Sequence, residues 1–208
     1  MTENQIREVV ARVISSLDNS EASIPVEASA RHVHLTKEAV EILFGKGATL
    51  TKKRDLSQPG EFLSEQRIKL VTSKGEIANV AVLGPERKAV QVELSMTDCR
   101  GLGIKAPVNL SGDLNSAGDV YLVSECGCYN AAKSVIVAKN HIHMTPADAE
   151  KYGVSDSQSV KVRVDSLRPV TFEDVIIRVN PNFALAMHID FDEANACCLD
   201  KDSKGKIF

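Results

Sequence analysis

The sequence predicts a mostly β fold: two small β-barrels or sheets with short capping helices, preceded by an N-terminal amphipathic helix. Two observations carry that expectation. Short alternating or wholly apolar runs recur between turn formers, the pattern of hairpin-linked strands. In addition, Ala30-Arg31-His32-Val33-His34-Leu35-Thr36 returns in near copy as Lys139-Asn140-His141-Ile142-His143-Met144-Thr145, so one design is used twice.

Residues 1–18 place Ile6, Val9, Val10, Val13, Ile14 and Leu17 at helical intervals with charged residues between them, which predicts an amphipathic helix. Residues 19–24 are small and polar and read as a linker. A strand over Val26 to Ala28 then leads into the first His-x-His pair. Side chains two apart on a strand share a face, so each pair directs two imidazoles at one point. Thr36 and Thr145 follow at the position of a helix N-cap, Thr145 ahead of Pro146. Each cap opens a helix of about two turns, ending at Gly45 in one copy and Gly153 in the other.

Residues 48–60, with the basic run Lys52-Lys53-Arg54, read as a loop whose charges could meet a polyanionic ligand. Strands are expected over Ile68–Thr72, Ile77–Leu83 and Val90–Leu94, with turns at Ser73-Lys74-Gly75 and Gly84-Pro85. Residues 99–118, rich in glycine and turn formers, suit a long functional loop without a Walker-type phosphate motif. Further strands are expected over Val120–Val123, Ser134–Ala138, Val160–Val164, Val170–Phe172, Val175–Val179 and Leu185–Ile189.

If the units are copies, the strand that closes each should align, and Val92-Glu93-Leu94 falls opposite Met187-His188-Ile189. Unit one thus offers His32, His34 and Glu93, and unit two offers His141, His143 and His188, which together use all five histidines of the chain. Three ligands with one position open is a catalytic arrangement for zinc, whereas structural sites are usually closed by cysteine. The five cysteines are odd in number and irregularly spaced, and neither Cys126-Gly127-Cys128 nor Cys197-Cys198 has the C-x-x-C spacing of a zinc or redox site. His32-x-His34-x-x-x-Glu38 also opens like the cupin signature, but Glu38 lies in the first turn of the expected helix, where the helix dipole explains a carboxylate.

Composition narrows the function class. The 208 residues are 43% hydrophobic and 25% charged with a net charge of -3, and aromatics are only 4% without tryptophan, which disfavours nucleic acid as the main partner. No apolar stretch reaches the roughly 18 residues of a membrane span, and the N-terminus lacks the layout of a secretory signal, so a cytosolic protein acting on small molecules or proteins is expected.

The sequence resembles the phosphate propanoyltransferases, or phosphotransacylases, of the propanediol-utilisation microcompartment type. The resemblance spans roughly residues 25 to 200 and rests on Ser29-Ala30-Arg31-His32-Val33-His34-Leu35, Leu56-Ser57-Gln58-Pro59-Gly60, Leu83-Gly84-Pro85 with Arg87, Val92-Glu93, Thr97-Asp98, Ser111-Gly112-Asp113-Leu114, His141-Ile142-His143-Met144, Met187-His188 and Asp192-Glu193-Ala194-Asn195-Ala196. It implies two pseudo-equivalent small β-barrels that exchange the strand preceding each His-x-His pair, and two metals, usually zinc, in a shared cleft. It further implies coenzyme A near Ser29, Leu83 and Asn195, phosphate on Arg87, and conversion of acyl-CoA plus phosphate to acyl phosphate plus CoA. The chain departs from the family pattern at Asn109 and Met96, where arginines are expected, and at Cys126–Tyr129, which replace a glycine-rich turn. Residues 1–18 resemble an encapsulation peptide, which implies shell or cargo proteins as partners and a microcompartment lumen or the cytoplasm as location. A metal-dependent thioester hydrolase and a non-catalytic, metal-braced adaptor compete with the acyltransferase reading.

Overall fold

The structure is a computed structural model that describes residues 23–208 and, from the N-terminal segment, Arg7 alone. The amphipathic helix expected over residues 1–18 therefore lies outside the described residues, as does most of the linker. The first strand begins earlier than expected, at Ile24, whose side chain is fully buried.

The described residues form fourteen strands and four short helices. The strands are β1 (Ile24–Ser29), β2 (His32–His34), β3 (Lys52–Asp55), β4 (Phe62–Val71), β5 (Glu76–Gly84), β6 (Gln91–Leu94), β7 (Val108–Asn109), β8 (Gly118–Val123), β9 (Cys128–Ala138), β10 (His141–Met144), β11 (Ser159–Asp165), β12 (Val170–Val179), β13 (Ala186–Asp190) and β14 (Lys204–Ile207). The helices are α1 (Lys37–Phe44), α2 (Met96–Leu102), α3 (Pro146–Tyr152) and α4 (Phe191–Ala196).

Pairing closes two six-stranded rings. One runs β4-β5-β2-β6-β9-β8 and back to β4, with β3 on the β4 edge and β7 beside β9. The other runs β1-β13-β10-β12-β11-β14 and back to β1. The rings repeat strand for strand. β2 pairs parallel with β5 and antiparallel with β6, and β10 does the same with β12 and β13. Closure leaves few open edges, and the edge strand β3 carries its Lys52-Lys53-Arg54 run exposed, charge that discourages edge-to-edge pairing.

Ring membership does not follow chain order. β1 immediately precedes β2 yet lies parallel to β13 in the other ring, and β9 precedes β10 yet lies parallel to β6. The chain crosses between rings at Ala30-Arg31 and again at Lys139-Asn140. Both crossings are tethered to the helix that follows the third-ligand strand: Arg31 pairs with Asp98 of α2 at 3.1 Å, and Asn140 Nδ2 donates to Glu193 Oε1 of α4 at 2.7 Å.

Each ring has its own apolar core. Val33, Leu35, Leu43, Leu70, Val82 and Leu122 are among the buried residues of the first, and Ile24, Ile142, Met144, Ile177, Met187 and Ile189 among those of the second. At roughly 1.5–3 kcal/mol for each large aliphatic side chain fully buried, these clusters supply the main driving force. The helix ends follow the sequence rules. Thr36 accepts from Ala39 N, Thr145 and Asp148 form a capping box, and Gly153 takes the left-handed conformation at φ 64°.

Several local expectations are corrected. Residues 48–60 are not all loop, because β3 forms on the edge of β4. The stretch 99–118 contains the end of α2, capped by Ser95, and the short β7 before its glycine-rich turns. Val170–Phe172 and Val175–Val179 are one strand interrupted by a bulge at Asp174 (φ 57°), and Asn79 (φ 58°) occupies the matching position in β5; Asn and Asp tolerate this conformation better than other L-residues. In α1 Ala39, Val40 and Leu43 are buried, whereas Ile42 is 41% exposed. No helix among the described residues is long and apolar enough to cross a membrane.

Candidate active site

The crossings that exchange strands also aim the first histidine of each pair. His32 Nδ1 lies 2.7 Å from Ala30 O, and His141 Nδ1 lies 2.8 Å from Lys139 O. A carbonyl only accepts, so Nδ1 carries the proton in both rings and Nε2 is left with its lone pair facing inward. The third ligand arrives by register: Glu93 of β6 stands opposite His32, and His188 of β13 opposite His141.

Two groups result. His32, His34 and Glu93 are all buried, as are His141 and His143, with His188 half-buried beside them; in each group the candidate ligand atoms lie within 4.8 Å of one another. In the second group the ring centroids of His141, His143 and His188 are 4.7 to 5.3 Å apart. Burial without partners is costly for polar atoms, yet His34 Nδ1, both ring nitrogens of His143 and His188 Nε2 have no hydrogen-bond partner. A buried cluster of unpartnered nitrogen donors fits a divalent cation, and the mixed imidazole and carboxylate sets suit zinc.

The protonation states point the same way. Burial drives His34 well below its ordinary value, His141 to about 4 and His143 to about 2, so all three are neutral, ligand-competent imidazoles near pH 7. His32 differs. Burial lowers it, but the Glu93 charge and hydrogen bond, aided by the Ala30 carbonyl, outweigh burial and leave it raised. Burial pushes Glu93 up, and His32, 3.5 Å away, overcomes this and holds the carboxyl far below its usual range. In metal-free protein each of the two side chains therefore favours the charged form of the other.

Both groups open into one cavity of about 640 Å³ between the rings. Ser29, Leu83 and Arg87 line it, whereas Asn195 does not and lies exposed on α4. Arg87 is anchored by its backbone N–H, which donates to Leu35 O at 2.8 Å. Its guanidinium meets Glu61 at 2.8 Å and reaches Ser111 Oγ at 3.4 Å. Gln91 Nε2 lies 2.8 Å from the same hydroxyl and 2.6 Å from Glu93 Oε1, joining the arginine to the first group. Across the cleft, buried Gln58 exchanges two hydrogen bonds with the Ala184 backbone, at 3.0 and 3.2 Å, and locks its loop against the second ring.

Asn109 and Met96 have local roles. Asn109 Nδ2 braces the turn above the cavity by donating to the Asp113 and Asn115 carbonyls, each at 3.0 Å. Met96 opens α2 and packs on the first core. Among the cysteines, Cys99 and Cys197 are buried and Cys126 and Cys128 exposed, and none lines the cavity.

Among the cavity residues that sequence reasoning missed are Glu27, Glu61, Arg67, Arg178 and Phe183. One signal was available for Arg178, a charge inside the apolar run Val175-Ile176-Ile177-Arg178-Val179. Glu27 gave none, since its partner His188 belongs to the far end of the chain.

The family model described as Phosphate propanoyltransferase matches residues 25–200. A phosphate propanoyltransferase of Clostridioides difficile (strain 630) is 50% identical over 205 residues, covering 99% of this chain and 98% of that protein. One from Listeria monocytogenes is 52% identical over 187 residues, covering 90% of this chain and 88% of its own length. One from Thermotoga maritima is 47% identical over 190 residues, with 91% and 90% covered. With the family model spanning both rings and all six candidate ligands, the chain belongs to the phosphate propanoyltransferase family.

Proposed function

We propose that the protein is a phosphate acyltransferase that interconverts a short-chain acyl-CoA, propionyl-CoA or acetyl-CoA, and phosphate with the acyl phosphate and CoA. The observation that supports this most is that the cavity gathers both ligand groups and the Arg87 guanidinium at one place. In the forward direction a phosphate oxygen attacks the thioester carbonyl, a C–O bond forms, the C–S bond breaks, and the electron pair leaves on sulfur as the CoA thiolate.

His32, His34 and Glu93 would hold one divalent metal and His141, His143 and His188 a second, zinc being the ion these donors suit best. Bound there, the pair supplies Lewis acidity toward phosphate oxygens and toward the departing sulfur. The remaining work falls to the chain's own side chains. Arg87 presents a charge-assisted clamp to phosphate oxygens, and its contact with Glu61 holds the fork in place before substrate arrives. Gln91 orients Glu93 and Ser111 together and so transmits the position of the first group to the edge of the phosphate site. No histidine is left over to activate Ser111: all five belong to the two groups, which supports direct attack by phosphate over a covalent serine intermediate.

CoA release from acetyl-CoA and propionyl-CoA, measured with and without phosphate, tests the proposal. Release that depends on phosphate and yields acyl phosphate is expected. Release at equal rate in phosphate-free buffer would make the protein a thioester hydrolase, and no release by metal-loaded protein would leave the adaptor reading.

A further inference from the structure

Five arginines line the cavity, and four are accounted for by their surroundings. Arg31 pairs with Asp98 at 3.1 Å, Arg87 with Glu61 at 2.8 Å, and Arg67 donates to the Ser64 and Gln66 carbonyls, each at 2.7 Å. Arg54 is exposed on the edge strand β3. Arg178 is the exception. It is half-buried, and among the described residues its guanidinium has neither a salt bridge nor a hydrogen bond; the ring of Phe183 lies 5.9 Å from its Cζ.

Its position is set by the strands. β12 runs parallel to β10 with Arg178 in register with His143. In the first ring the equivalent residue beside His34 is Leu83, so the arginine is a feature of the second ring alone. Phe183 lies on His143, with centroids 4.1 Å apart and planes at 31°, and on its other contact faces Arg178. The ring therefore limits the rotamers of both the candidate ligand and the cation. Partly burying a guanidinium with no counter-ion is unfavourable unless a ligand supplies one.

We infer that Arg178 is a second phosphate-binding residue, which meets the attacking phosphate from the second ring while Arg87 meets it from the first. The inference rests on the acyltransferase reading and deepens it. CoA also carries phosphoryl groups, but these are separated from its sulfur by the whole pantetheine arm. An arginine beside His143 faces the reacting end. Arg87 already shares its charge with Glu61, so Arg178 is the cation of the cavity with most to gain from a dianion.

The test uses the full-length, metal-loaded enzyme and the variants R178Q and R178K. Saturation curves are recorded separately for inorganic phosphate and for acyl-CoA, with metal content and thermal unfolding measured on each variant. We expect R178Q to raise the phosphate KM about tenfold or more while the acyl-CoA KM stays within about twofold. Metal content should be unchanged, R178K intermediate, and added guanidinium should restore part of the loss. A phosphate KM unaltered in both variants overturns the inference, as does a loss confined to the acyl-CoA KM, which would assign Arg178 to the nucleotide end of CoA. Loss of metal with unaltered phosphate affinity per metal-loaded molecule overturns it too. A wild-type enzyme without phosphate dependence overturns the acyltransferase reading itself, whereas a phosphate-dependent wild type with indifferent variants removes this inference alone.

Discussion

Glu27 Oε2 lies 3.5 Å from His188 Nε2, a contact between the first and the thirteenth strand of the chain. The parallel β1–β13 register places them side by side, and Ser57 Oγ donates to the same carboxylate oxygen at 2.6 Å. His188 lowers the Glu27 carboxyl, burial opposes the shift and Ser57 adds to it, so Glu27 is ionised near neutral pH. From the ligands alone, one would expect a formal +1 at the Glu93 site and +2 at the three-histidine site. The structure instead sets a carboxylate beside each. The contrast is one of contact, Glu93 being inside its group and Glu27 at the rim of the other.

If Glu27 tempers the positive field of the second group, Glu27→Gln strengthens anion binding there. The expected outcome is a phosphate KM lowered by a factor of about 2 to 5, the scale of one partly exposed charge, with both metals retained. Steady-state kinetics and elemental analysis check it, and an unchanged or raised KM would show that the carboxylate has another role.

Purified protein is expected to carry two metals per chain. His188→Ala and Glu93→Ala should each remove one, because two remaining donors hold zinc poorly. Inductively coupled plasma analysis of the three proteins decides this, and two metals surviving both substitutions would refute the ligand assignment.

The pH dependence follows from the depressed histidines. His141 at about 4 and His143 at about 2 lie below the ordinary value of about 6.5, so below that pH the unfolded chain takes up protons that the fold refuses. Their effect is absent above pH about 6.5 and costs stability progressively as pH falls from there toward 4. His32, raised by Glu93, has the opposite sign: its contribution is present at low pH and fades as pH rises through its folded value. Chelator-treated protein should thus lose thermal stability between pH about 6.5 and 5, above the carboxylate range. A His141→Gln, His143→Gln double variant should show a flatter profile in differential scanning calorimetry.

Direct attack by phosphate predicts no exchange of labelled CoA with acyl-CoA when phosphate is absent. Rapid exchange, or an acyl-enzyme trapped by acid quench and seen by mass spectrometry, would mean a covalent intermediate. Replacing the cysteines should leave turnover within about twofold, since none reaches the cavity.

Gly127→Ala should destabilise the first ring without touching its chemistry. A Cβ at this position would stand 2.2 Å from Ile42 O, a backbone atom at the end of α1 that cannot yield cheaply. The turn is held there by Ser124 Oγ, which donates to Leu43 O and accepts from Cys126 N and Gly127 N. A loss of about 1–3 kcal/mol is expected, seen as a lower urea midpoint, with kcat per folded molecule unchanged.

The local chemistry was legible in the residues. Alternation along a strand put His32 with His34 and His141 with His143 on one face, Thr36 and Thr145 announced the helices behind them, and the duplication pointed to Glu93 and His188 as third members. These are short-range relations, set by a 2-residue or 3.6-residue period and by caps within one turn. Tertiary structure decided everything that depends on pairing between distant strands. The resemblance implied that the strand before His32 is exchanged, but only its parallel register on β13 brings Glu27 to His188, and only the parallel β10–β12 register sets Arg178 beside His143. The edge strand β3 likewise exists because β4 offers it a partner, not because Lys-Lys-Arg favours extension. Strand register is a collective property of two whole rings, and no local window of the sequence contains it.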